Sequence, residues 1–240
     1  MLKNLQLDNV LFLDIETVPM VHDYSNLPDD WKSLWEKKAA RIKKEDETID
    51  ESFNRAGIYA EFGKIVCISV GIIKSSGKHK TLRLKSFYGD DEKILLFEFN
   101  EMLERYFDGD QYFLCAHNGK EFDFPYIARR TLINGLSLPN ILDLAGKKPW
   151  EVRHLDTLEL WKFGDYKHYT PLNLLTKVFD IPSPKDDIDG SDVARVYYEE
   201  QDLERIAVYC QKDVLAVVQL LLRYKGEGLI SEDNIEISDK

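Results

Sequence analysis

The chain has 240 residues, 44% of them hydrophobic and 31% charged, with 32 Lys and Arg against 43 Asp and Glu for a formal net charge of −11. That length can bury a full core, as one large α/β domain or two small ones, and the acidic balance argues against a protein whose whole surface grips nucleic acid. The apolar patch Val10–Leu13 is cut off by Asp14, too short and too soon charged for a signal peptide or membrane span, so a cytoplasmic chain with no membrane partner is expected.

Residues 10–14 read as a buried strand ending at Asp14, followed by a loop that Pro19 and Pro28 mark. Residues 31–53 read as one charged helix, within a helical insertion at about 29–62 between the first and second strands. The insertion is uneven in charge: Lys32–Lys44 holds six bases and one acid, whereas 45–51 (EDETIDE) holds five acids and no base. A local basic face can therefore coexist with an acidic total. Residues 64–74 form a β-branched strand, turned by Ser75-Ser76-Gly77 into a second arm at 80–88. Helical spacing follows at 90–107, a strand at 111–116, and a helix at 122–134 stopped by Gly135. A short strand at 152–156 precedes helices at 171–179, 191–200 and 202–224, with Gly226 just beyond. The stretch 185–204 carries eight acids and two bases, and 227–240 reads as an acidic tail. The order predicts a single domain, 1–226, built as an α/β sheet covered on both faces. Cys67, Cys115 and Cys210 sit in apolar runs without metal-site spacing and read as small buried hydrophobes in a reducing compartment.

Three segments place acids beside apolar elements. Asp14 and Glu16 in LFLDIET are two apart on a strand and so share a face, although a solvated strand end would look the same. Asp123 in HNGKEFDFPYI stands near a helix start, where capping also explains an acid. Tyr209 and Asp213 in YCQKDV are one helical turn apart, at the edge of a stripe formed by Leu203, Ile206, Cys210, Val214, Val217 and Leu221. A packed tyrosine on an aspartate is the plain alternative. Buried carboxylates without a base nearby in sequence suggest a cation as partner.

Together, LFLDIETVP, HNGKEFDFPYI and YCQKDV resemble the three exonuclease motifs of the DEDD superfamily, in its tyrosine (DEDDy) subclass. The likeness is closest to the proofreading exonuclease domain of family B DNA polymerases, expected here in free-standing form. HLDTLELW and YTPLNLLTKVFDIP resemble the segments that lie between the second and third motifs. The resemblance implies an RNase H-like mixed sheet of about five strands flanked by helices. It also implies a 3′-5′ exonuclease that uses two divalent cations, Mg²⁺ or Mn²⁺, and releases nucleoside 5′-monophosphates. Asp14, Glu16, Asp123 and Asp213 would be the metal carboxylates, with Asp14 bridging, and Tyr209 would orient the attacking water. The backbone around Thr17 would meet the terminal 3′-OH. Asn118 would contact the terminal nucleotide, or serve only as a turn residue. Phe122 would stack on a base, or simply pack. Asp156 would support the ligands from behind, or merely end a strand. His117 reads as structural, because this subclass uses tyrosine where its sister subclass uses histidine. Arg129-Arg130, Lys147-Lys148 and the basic run Lys32–Lys44 are candidate phosphate contacts beside the plain reading of solvated surface.

Single-stranded DNA 3′ ends are the expected substrate, and RNA is the first alternative. A non-catalytic module that binds nucleic-acid ends with the same fold is the second, although none of the five motif residues is missing. A structural cation-binding protein fits poorly without a Ca²⁺-loop spacing, and a two-metal phosphatase would usually bring histidines near the acids. The acidic balance also suggests a protein partner that supplies grip on the substrate.

Overall fold

The computed structural model describes residues 2–77, 79–165, 169–182 and 188–238. The first residues of the acidic stretch 185–204 and the last two of the tail lie outside them. A six-stranded mixed sheet has the order β5-β4-β1-β2-β3-β6. β1 (Val10–Pro19) lies near the centre, antiparallel to β2 (Gly63–Ser76) and parallel to β4 (Phe113–Ala116). β3 (His79–Tyr88) closes the hairpin with β2, and β5 (Leu155–Asp156) extends the other side parallel to β4. β6 (Ile235–Ile237) adds a short parallel edge to β3, so the expected five strands become six. This mixed sheet with helices on both faces is the RNase H-like arrangement.

β1 does not end at Asp14. Its backbone pairs with β2 as far as Pro19, so Asp14 and Glu16 lie in mid-strand, opposite Ser69 and Cys67. The register shifts between Glu16 and Thr17, where Ile65 rather than Val66 faces Thr17. Such a bulge bends the strand and re-aims the residues beside it.

Alternation assigns the two faces. Leu11, Leu13 and Ile15 pack with Ile68, Phe87, Leu96, Phe99, Phe124 and Ile127, beneath α3 (Glu92–Tyr106) and α4 (Asp123–Ile133). Phe12 faces the opposite layer with Leu82, Leu84, Val214, Val217 and Leu221, under α8 (Leu203–Lys225). The buried stripe expected on α8 is observed from Ile206 to Leu221, with Leu203 at its partly buried start. Gly226, at φ 71°, ends the helix in the left-handed conformation that glycine tolerates best. No helix among the described residues is long and apolar enough to cross a membrane.

The helix expected over 31–53 is two helices, α1 (Asp29–Ile42) and α2 (Ile49–Phe53). Thr48 and Glu51 form a reciprocal capping box that starts α2 afresh. Trp35, Phe53 and Phe62 pack edge to face as a small separate core. A helix absent from the expectation, α5 (Thr157–Lys162), follows β5 directly because Asp156 caps it. α6 (Leu172–Val178) and a short turn, α7 (Val193–Arg195), complete the set. α7 runs into a π turn at Val196–Glu200 that Gln201 ends at φ 55°.

Glu92 is the main polar tie across this frame. It is 7% exposed and accepts from the Ile65 N–H at 2.7 Å, Arg130 Nε at 2.8 Å and Asn134 Nδ2 at 2.9 Å. A further bond comes from Arg130 Nη2, while Arg130 Nη1 donates to the Ala60 carbonyl at 2.8 Å. Arg130 is therefore committed inside the protein and is withdrawn as a phosphate contact. Breaking a buried pair strands the surviving charge, at a cost of about 3–5 kcal/mol. Arg130→Ala is expected to lower the unfolding free energy by about that amount in urea titrations, whereas the exposed neighbour change Arg129→Ala should move it by less than about 0.5 kcal/mol.

Candidate active site

On the α8 side of β1, Asp14 and Glu16 point at the first half of α8. One ligand atom from each of Asp14, Glu16 and Cys210 lies within 4.8 Å of the other two. Glu16 is 7% exposed and Asp14 is partly buried. Asp123 is buried at the first turn of α4, where its own N–H and that of Ile15 favour the ionised carboxylate. Asp213 faces this group from α8, one turn beyond Tyr209 and near enough to raise its hydroxyl. The fold thus gathers Asp14, Glu16, Asp123, Tyr209 and Asp213 into one neighbourhood from three elements.

The electrostatics follow from burial and like charge. Burial raises the Asp14 carboxyl well above the ordinary range, and Glu16, Asp213 and Asp123 raise it further. Glu16 is raised by burial, then by Asp213. Asp123 is pushed up to about 7, first by burial, with Asp156 and Asp213 adding to the shift and two backbone N–H groups opposing it. The Tyr209 hydroxyl is raised by burial and by Asp213, so it stays protonated at neutral pH. A convergent set of carboxylate oxygens that oppose one another's ionisation suits hard divalent cations such as Mg²⁺ or Mn²⁺.

Asp156 has a definite structural task. It is 2% exposed. Its Oδ1 accepts from the N–H groups of Asn118 at 3.0 Å and Leu158 at 2.9 Å, and its Oδ2 from Lys120 N–H at 3.1 Å. One carboxylate thus caps α5 and clamps the 117–120 loop that leads into Asp123. In that loop Asn118 adopts φ 64°, a conformation asparagine tolerates better than most residues. Phe122 is half-buried, with its ring 5.3 Å from that of Tyr126. The Thr17 side chain lies near the Tyr126 hydroxyl, which donates to the Gly57 carbonyl at 2.6 Å. His117 is fully engaged: Nδ1 lies 2.9 Å from Thr157 Oγ1 and Nε2 lies 3.0 Å from the Thr170 carbonyl. That pairing agrees with its structural reading.

Cys210 is the site residue that the sequence reading passed over. Its thiol lies 3.3 Å from the Asp14 carbonyl and 3.4 Å from Asp14 Oδ2, within donating range of both. The available signal was its place in the α8 stripe between Tyr209 and Asp213, facing the strand that carries Asp14.

Residues 58–237 match the family described as predicted 3′-5′ exonucleases related to the exonuclease domain of PolB. The chain belongs to that family. The matched region carries Asp123, Tyr209 and Asp213, whereas Asp14, Glu16 and α1 precede it.

The raised carboxylates have a thermodynamic consequence. Between the ordinary Asp value of 3.8 and about 7, folded Asp123 keeps a proton that the unfolded chain has released. Stability is therefore lost as pH rises through that window. Without divalent cation, the melting temperature of wild type minus that of Asp123→Asn is expected to fall as pH goes from about 4 to about 8. Saturating Mn²⁺ should reverse that trend. Thermal melts with EDTA or Mn²⁺ measure it, and a difference that is flat or rising in EDTA would contradict the burial and repulsion described.

Proposed function

We propose that the protein is a metal-dependent 3′-5′ exonuclease of the tyrosine subclass that removes nucleoside 5′-monophosphates from single-stranded DNA. Residues 1–226 would act as one catalytic domain, with the 29–62 insertion and the 227–240 tail added to it. The observation that carries this reading is the convergence of Asp14, Glu16, Asp123 and Asp213 on one neighbourhood, where burial and mutual repulsion favour an added cation. Membership in a family of predicted exonucleases supplies the reaction class.

Two divalent cations, when bound, would generate the hydroxide nucleophile and relieve charge on the phosphorane and leaving oxygen. Asp14, Glu16, Asp123 and Asp213 would hold them. Tyr209, kept protonated by burial and by Asp213, would orient the attacking water through its hydroxyl rather than act as a base. The backbone at Thr17 would receive the terminal 3′-OH. Asn118 would present its amide to the last nucleotide, from a loop that Asp156 holds in place. Phe122 offers its partly exposed ring as a platform for the terminal base.

The test is cleavage of 5′-labelled single-stranded DNA and a matched RNA with Mg²⁺, Mn²⁺ or EDTA. A cation-dependent ladder that shortens from the 3′ end, absent in Asp14→Ala, is the expected result. Faster loss of RNA than of DNA would make the protein an exoribonuclease. No ladder with either polymer would favour a module that only binds ends. Tyr209→Phe keeps the ring but loses the hydroxyl. It is expected to lower kcat about 10²-fold, the scale of a misplaced reactant, with little change in KM.

A further inference from the structure

We propose that the flank of α1 carrying Lys37, Lys38 and Arg41, with Tyr59 beside it, binds the phosphate backbone of a single-stranded nucleic acid on its way to the carboxylate cluster. The proposal rests on the nucleic-acid reading above and extends it to a surface whose cations, all on α1, precede the region that matches the family, while Tyr59 lies at the start of that region.

At 100° per residue, α1 buries the line through Trp31, Trp35, Ala39 and Ile42 against the small aromatic core. Leu34, Lys37, Lys38 and Arg41 fall together on one side of that line, and Asp30 is the acid on that flank, in the first turn. The opposite side carries Asp29, Lys32, Glu36 and Ala40.

The two sides use their charges differently. Lys32 pairs with Asp29 at 3.6 Å, and Lys43, just past the helix end, donates to the Glu47 carbonyl at 3.1 Å. Among the described residues, Lys37, Lys38 and Arg41 make no ion pair. Lys38 instead holds its ammonium 3.9 Å from the centre of the Tyr59 ring. Leu34 and Ile58 are each 51% exposed. Unpaired cations beside an aromatic face and exposed aliphatic groups are the combination that tracks a single strand, with phosphates on the cations and bases on the apolar atoms.

The surface is also tied to the site. The turn Ala56–Ile58 packs on β1 just past Glu16, so closely that a Cβ on Gly57 would stand 2.9 Å from the Val18 carbonyl carbon. Tyr126 donates to the Gly57 carbonyl at 2.6 Å, with the Thr17 side chain beside its hydroxyl. Ile58 and Tyr59 therefore continue directly from the strand segment proposed to receive the 3′ end. Leu34 to Arg41 covers about 10 Å of helix axis, enough for a few nucleotides. Beyond it lies the acidic segment 45–51, where Glu47 is held by Arg55, so the track ends with the helix.

Binding of a 5′-fluorescent oligomer of about 20 nucleotides, in DNA and RNA forms, would be followed by anisotropy in EDTA across a salt series. Each phosphate contact adds about 0.7 to the slope of log affinity against log salt for a single strand. The triple variant Lys37→Ala, Lys38→Ala, Arg41→Ala is expected to lower that slope by about 2, while Lys32→Ala with Lys43→Ala leaves it unchanged. KM for the oligomer should rise several-fold in the triple variant at constant kcat, with trinucleotide hydrolysis unaffected. An unchanged slope and KM would overturn the proposal, as would polyglutamate of equal charge binding as tightly through the same three residues. If wild type cleaves no polymer yet binds with a slope that the triple variant reduces, the surface stands and the exonuclease reading falls.

Discussion

Holding several carboxylates together out of water is the constraint on which the rest of the structure depends. Each raises the cost of ionising the next, so the backbone beneath them must not yield. They are accordingly mounted on the stiffest parts of the frame. β1 is paired on both sides, with β2 along its length and β4 at its start. α8 is seated by a line of fully buried side chains from Ile206 to Leu221. α4 begins at Asp123, buried beside the β1 backbone at Ile15. A site that must meet phosphate geometry within a fraction of an ångström needs that stiffness more than it needs stability of its own.

Polar groups elsewhere in the interior show how differently the fold treats acids that have no chemical task. Glu92 is wrapped by Arg130, Asn134 and the Ile65 N–H. Among the described residues, Asp156 accepts from four backbone N–H groups. His154 accepts from the Leu114 N–H, lies 2.8 Å from the Ile141 carbonyl and is held neutral by burial, its pKa lowered to about 4. In these places protein donors or acceptors meet the buried group. At Asp14 and Glu16 the balance differs: burial and neighbouring carboxylates outweigh the donor that Cys210 offers, an arrangement that an added cation would relieve.

Much of this was legible in the chain because the signals were local. The β2–β3 hairpin shows as a β-branched run and an alternating arm on either side of Gly77, and the α8 stripe as a repeat at helical spacing. What escaped depended on partners far away in sequence. An acid at position 14 looks like a strand end unless β2 is known to pair through to Pro19. Arg130 looks like surface until Glu92 arrives from another helix. α5 was foreshadowed by Asp156 and Glu159, three apart, but its strand-like context hid the cap. The five motif residues are spread over 200 positions, and no one segment among them speaks for chemistry. Their convergence is a property of the sheet order, which places β1 between β4 and β2.

The C-terminal return has a consequence of another kind. Gln219 is buried, and both ends of its amide are used on Ile230, donating to its carbonyl at 2.7 Å and accepting its N–H at 3.0 Å. That clasp delivers Ile235–Ile237 to the outer side of β3, where they pair with Leu82–Leu84. β3 is a ten-residue strand at what would otherwise be the margin of the sheet. A long, regular margin is a template on which a second chain can assemble. Three residues of acid-flanked strand blunt it, so this short return guards the protein against sticking to itself.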